Sequence, residues 1–187
     1  MGSLDGDADE HSGNSTNSTR EVTVSQPFFL SEGCVKNTDY EKHDPGHRQE
    51  RGEYSPGDSQ PAARLSWHEA INYCQWLNEK SKINGLNDKN GSYRLASEAE
   101  YERAARGGLD QKRYPWGDTV PASEKNFYSA TAAAGVEEGK ANGYGIRQST
   151  ANVFSWIFDW YASYKDCGCS NRDPTSPTLG SVRVFLY

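Results

Sequence analysis

From Ser66 the apolar positions Trp67, Ala70, Ile71, Cys74 and Leu77 recur at intervals of three and four, forming one stripe along SWHEAINYCQWLNEKSK. Ser66 stands where an N-cap belongs and Glu69 follows three residues later, the pair that makes a capping box. A helix is predicted from that point. A second is predicted in YRLASEAEYERAARGG, where Ser97 caps, Glu100 closes the box, Ala99, Tyr101, Ala104 and Ala105 carry the face, and Gly107 ends it. Asn84-Gly85 and Asn90-Gly91 mark turns between the two. Upstream, VTVSQPFFL alternates and is rich in β formers, which predicts a strand pair or one strand broken at Pro27. Residues 39–60 mix His43, Pro45, His47, Pro56 and several glycines, a loop composition expected to run over the surface. The stretch NGYGIRQSTANVFSWIFDWY, 142–161, opens on a turn and closes on aromatics around Asp159, yet its middle follows neither period.

Composition sets the outer limits. Residues 1–20 hold no aromatic, Val or Ile and read as a disordered tail or linker, leaving 21–187 as one domain. No apolar run is long enough to span a bilayer or serve as a secretory signal. The net charge of -6 comes with interspersed Lys and Arg and no basic stripe, so nucleic acid is not an expected partner. Hydrophobic content of 34% beside 18 glycines, 5 tryptophans and 11 tyrosines predicts many turns around a core of large aromatics. A Cys167–Cys169 bridge would be strained, so these are expected to be free or to pair with a distant partner such as Cys34. His43 and His47 have metal-binding spacing, but Asp44-Pro45-Gly46 between them breaks a helix, and a metal pair is not expected.

Five ordered motifs carry a resemblance. Ser66-Trp67-His68-Glu69-Ala70, Tyr73-Cys74-Gln75-Trp76-Leu77, Tyr93 through Glu102, Ala104-Ala105-Arg106-Gly107-Gly108 and Tyr114-Pro115-Trp116-Gly117-Asp118 closely resemble the formylglycine-generating enzyme (sulfatase-modifying factor) family. The match continues through Asn126, Asn142-Gly143-Tyr144-Gly145, Asn152-Val153, Trp156, Asp159-Trp160-Tyr161, Gly180-Ser181 and Arg183-Val184. The resemblance implies an α+β chain with a variant of the C-type lectin fold: two helices around short antiparallel strands, rich in loops. Trp67, Trp76, Trp116, Trp156 and Trp160 are read as scaffold, each indole N–H needing a partner, and Arg94, Glu98, Glu102 and Asp118 could supply partners and ion pairs across that framework.

The departures bear on function. In enzymatic members the resemblance places copper-holding cysteines beyond an Arg-Val-x-Arg-Gly-Gly-Ser-Trp segment, whereas here Arg183-Val184 is followed by Phe185-Leu186-Tyr187. Cys167 and Cys169 fall before that point, so an active oxidase is not expected and no catalytic residue is assigned. The resemblance also implies a calcium site at the positions of Gln148, Ala151, Val153 and Ser155. With Ser155 in place of the family's Glu the set lacks its charged ligand, and calcium, the one cofactor to consider, is poorly served.

The remaining departures cluster near the C-terminus and interleave with kept positions, as when one set of side chains faces the core and the other faces outward. This looks like the variable proteins of diversity-generating retroelements, which diversify such positions on a lectin-like platform to recognise ligands. On that resemblance Ile146, Arg147, Ser149, Thr150, Phe154, Ser155, Ile157, Phe158, Phe185, Leu186 and Tyr187 are the candidate ligand-binding residues. Aromatic and small polar groups of this kind suit a protein or carbohydrate ligand, on another cell or particle surface. A cell or virion surface would suit the role. A fixed interaction domain without catalysis, or a truncated formylglycine-generating-type oxidase, are the alternative readings.

Overall fold

The computed structural model describes residues 21–83, 91–122, 124, 132–150, 152–162, 169–174 and 176–186. The expected tail 1–20, the Asn84-Gly85 turn, Asn126, Ala151, Cys167 and Tyr187 lie outside them. Helices α1 (Asn37–Tyr40), α2 (His47–Glu50), α3 (Trp67–Ile83) and α4 (Glu98–Arg106) precede an antiparallel pair, β1 (Ser155–Trp160) and β2 (Arg183–Leu186). Helices and a small sheet are thus mixed, and long connections join them.

Both expected capping boxes are formed. Ser66 N–H donates to Glu69 Oε2 (2.6 Å) and Glu69 N–H to Ser66 Oγ (3.3 Å). Ser97 and Glu100 repeat the exchange at 2.8 and 3.3 Å. Helix α4 ends at Gly107 in the left-handed region, φ 60, where a Cβ would come within 2.8 Å of Asn142. Asn142 explains the closeness: its Nδ2 donates to the carbonyls of Ala104 and Ala105, and its Oδ1 accepts from Tyr144 and Ile146 N–H. The NGYG turn is therefore clamped onto the end of α4.

Two expectations need correction. The segment 39–60 does run over the surface for much of its length, but it also holds α2, and with α1 it buries Asn37, Tyr40, His47 and Ser55. Asn37 Nδ2 donates to Ser55 O and Gly57 O, and His47 Nε2 lies 3.2 Å from Asn37 Oδ1. The rings of Tyr40 and His47 meet edge-on at 4.9 Å, and His43 packs on Trp76 of α3 at 5.6 Å. Side chains satisfy the loop backbone, which is what lets a loop composition go inside. The strand expected at 22–30 reduces to one parallel bridge, Thr23 to Arg172, closed by Thr23 N–H to Asn171 O and Asp173 N–H to Thr23 O. Pro27 lacks a donor and Asp173 sits at φ 46, so the ladder has no way to lengthen.

Indole donors go to backbone carbonyls rather than to the charged residues expected: Trp67 to Ile157 O (2.9 Å), Trp156 to Leu65 O (2.7 Å) and Trp116 to Lys140 O (3.1 Å). The charges pair among themselves, Arg94 with Glu100 and Arg106 with Glu102. Beneath the sheet, buried Asp159 accepts Glu98 N–H at Oδ2 and Ser176 N–H at Oδ1, both at 2.9 Å.

Asp159→Ala leaves both N–H groups without their acceptor, and denaturant titration should show a loss of about 2–4 kcal/mol. The Arg94 guanidinium and the Ser97 cap hold the Glu100 carboxyl below its ordinary pKa. A depressed pKa adds stability above the unfolded value and loses it as pH falls through the folded one. Glu100→Gln should therefore lower stability at pH 7 and flatten its decline below about pH 4.5, in melts across pH.

Candidate functional site

Strand alternation turns Ile157 (0% exposed) and Asp159 inward and leaves Phe154, Trp156, Phe158 and Trp160 on the other side of β1. Opposite them, Phe185 pairs with Trp156 and Arg183 with Trp160. The rings touch: Phe154 lies edge-on to Phe185 at 5.2 Å, and Phe185 edge-on to Trp156 at 5.8 Å. Phe158 is 6.4 Å from Trp67 at the start of α3. Phe154, Phe158 and Phe185 are half or more exposed, large apolar surface of a kind that marks contact sites.

Arg183 fixes one end of this face. Its guanidinium lies between two indoles, 3.7 Å from the Trp67 ring centre and 3.5 Å from that of Trp160, and Nη1 donates to Phe158 O at 2.6 Å. Desolvation draws its pKa down, and the charge of Asp159 pushes it back up. A flat, delocalised cation suits this slot; a lysine ammonium does not.

The other candidate residues divide. Ile146, Ser149 and Ile157 are buried, which corrects their place on an outward surface. Ser155 turns inward, its Oγ accepting from Tyr101 O–H at 3.4 Å, and Leu186 opposite it is half-buried. Arg147 is held elsewhere, its N–H on Glu32 O (2.7 Å) and its guanidinium on Gly139 O. Thr150 lines a shallow pocket of about 140 Å³ with Glu102, Arg106 and Tyr114. Of the described candidates only Phe154, Phe158 and Phe185 share the aromatic face. Sequence reasoning missed that Trp67, Trp156, Trp160 and Arg183 belong to it. The period of two through 154–160 was the available signal, hidden because every second residue is also apolar or bulky.

Gln148 is buried, its Oε1 accepting from Asn152 Nδ2 (2.7 Å) and its Nε2 donating to Gly135 O (2.8 Å) and Glu138 O (3.1 Å). Val153 is half-buried. Cys34 and Cys74 are free thiols, so the pairing expected of Cys34 is not made, and Cys169 is disulfide-bonded. Burial pushes both free thiols above the usual cysteine pKa, the Ser155 hydroxyl partly opposing this at Cys34. Neither is poised as a thiolate.

A frame of loops, two capped helices and a short antiparallel strand pair near the C-terminus is mixed α/β and consistent with the C-type lectin-like class. The chain matches the sulfatase-modifying factor enzyme 1-like domain over residues 6–184 and belongs to that family. It is 32% identical over 142 residues to the formylglycine-generating enzyme of Thermomonospora curvata, covering 66% of this chain and 42% of that one, so it spans less than half of that relative's length. Among solved structures it resembles Treponema denticola variable protein 1, with a TM-score of 0.64 and 25% identity over 89% of this chain and 77% of that one. It also shares its fold with PvdO from Pseudomonas aeruginosa, at a TM-score of 0.62 and 24% identity over 97% and 72% of the two chains. These neighbours support the C-type lectin-like class in its broad sense.

Arg183→Ala empties the slot between the two indoles, and urea melts followed by tryptophan emission should show a loss of about 2 kcal/mol or more. Arg183→Lys should restore less than half of it.

Proposed function

We propose that this domain is a non-enzymatic ligand-binding protein that displays a variable surface near its C-terminus on a C-type lectin scaffold, in the manner of diversity-generating retroelement variable proteins. The observation that carries the reading is the division within β1 and β2. Phe154, Phe158 and Phe185 expose apolar rings while Trp156, Trp160, Arg183 and Asp159 between them are tied into the frame. Exposed aromatics on a rigid support are suitable binding anchors, because little entropy is lost when they are covered. The likeness to Treponema denticola variable protein 1 supports the same reading. The ligand class is a protein or carbohydrate carried on another cell or particle surface, and the displaying protein would work at a cell or virion surface.

The family's enzymatic relatives supply the second reading, a formylglycine-generating oxidase. What does not favour it is that Arg183-Val184 is followed by Phe185-Leu186-Tyr187, where the resemblance to the enzymes calls for Arg-Gly-Gly-Ser-Trp.

Sequencing this locus across a natural population tests the proposal: amino-acid changes should concentrate at 154, 158 and 185 while Trp156, Asp159 and Trp160 hold. Sparse, even change would sink it. Alanine at Phe154, Phe158 or Phe185 should move stability by no more than about 1 kcal/mol, whereas Ile157→Ala should cost about 2–5 kcal/mol. Copper-dependent oxidation of a cysteine-containing peptide by the full natural gene product would favour the enzyme instead.

A further inference from the structure

Two side-chain amides close the loop that leads into β1, and they close it with their N–H groups. Gln148 and Asn152 both occupy the left-handed region, at φ 55 and 87, and both are buried. Gln148 Nε2 donates to Gly135 O and Glu138 O. Asn152 Nδ2 donates to Ala134 O (3.2 Å) and to Gln148 Oε1, while its Oδ1 accepts from Ala134 N–H (2.8 Å). The nearby carboxylate of Glu138 is turned back onto Gly135 N–H at 2.8 Å. Every donor in this set faces an acceptor.

The residues do not fit calcium, which takes six to eight oxygens at roughly 2.3–2.6 Å. The amide oxygen of Gln148 is already bonded, its nitrogen points at two carbonyls, and Ser155 Oγ lies against the Tyr101 phenol. The carbonyls of Gly135, Glu138 and Ala134 each accept an amide N–H from this pair. For Gln148 Oε1 to serve a metal, its bond from Asn152 Nδ2 would have to be given up.

We propose that Gln148 and Asn152 form a metal-free latch, which locks residues 134–138 to the entry of β1 and makes the fold independent of calcium. The latch reaches the aromatic face through Asn152, whose carbonyl accepts Tyr54 O–H (2.7 Å) and which precedes Phe154 by two residues. Tyr54 O in turn accepts Ala133 N–H at 2.7 Å, so three segments meet at one point. This inference does not depend on what the face binds.

The test is the melting temperature of the whole 187-residue chain in millimolar calcium and in EDTA, with calorimetric titration of calcium into the EDTA-stripped protein. The expected results are the same melting temperature in both and no binding heat. Gln148→Ala, which removes the donor to the buried Gly135 carbonyl and to that of Glu138, should melt roughly 5 °C or more below the parent in either solution. A calcium-induced rise of several degrees in the parent, or stoichiometric binding, overturns the proposal. So does a Gln148→Ala variant that melts with the parent. Should that variant fail to fold, the calcium measurements on the parent still decide.

Discussion

The carboxylate of Asp159 is the contact on which the exposed aromatic face depends. A sheet of two short strands is marginal in water and needs packing against something else. Asp159 supplies it by accepting one N–H from the first turn of α4 and another from Ser176, on the return path to β2. Its place at the N-terminus of α4 also favours the charge, since the helix end carries partial positive charge. From above, Arg183 completes the clamp: its cation lies between the rings of Trp67 and Trp160 and its Nη1 holds Phe158 O. The hairpin is thus fixed from both sides by charged groups, while Ile157 fills the core between them.

Elsewhere the same economy is achieved with amides. Asn37, Asn142, Gln148 and Asn152 are all buried and each bonds to two or more groups from segments far apart in sequence or from the end of a helix. A buried amide offers two donors and an acceptor, so one side chain can satisfy several loop carbonyls at once. That is how these amides tie irregular segments of a chain of 34% hydrophobic residues to the frame. The low apolar content that suggested a surface of loops instead accompanies a core in which side chains stand in for secondary structure.

What was legible in the sequence was local. Ser66 with Glu69, Ser97 with Glu100, and Gly107 act within one helical turn, so spacing alone exposes them. The strand read at 22–30 failed because a strand is a relation to a neighbour, and only Thr23 finds one. Tyr40, against which His47 packs, meets Tyr73 of α3 some thirty residues away, a contact that composition does not encode. Within the candidate site, the outward set was recognised as departing residues but not sorted by face. Ile146 and Ile157 share the chemistry of a contact residue and were grouped with Phe154 and Phe158, although burial separates them. Arg183, read as part of the frame, is both frame and rim.

The strand pair shows physically how an exposed side chain can be separated from stability. Phe158 N–H donates to Ala96 O at 2.9 Å and Phe158 O accepts from Arg183, so this residue's hydrogen bonds to the frame come from its backbone, while its ring rests at the edge of Trp67 and Arg183. Any amino acid but proline supplies the same two groups. Its ring, half exposed, contributes little that the fold would miss. Ile157 beside it reverses the arrangement: its side chain is wholly buried, though its carbonyl too is used, by the Trp67 indole. Adjacent residues on one strand therefore carry opposite tolerances, set by the pleat. A surface built this way can change its side chains at 158 without moving the carbonyl that holds Arg183, and hence without moving the two tryptophans that Arg183 joins.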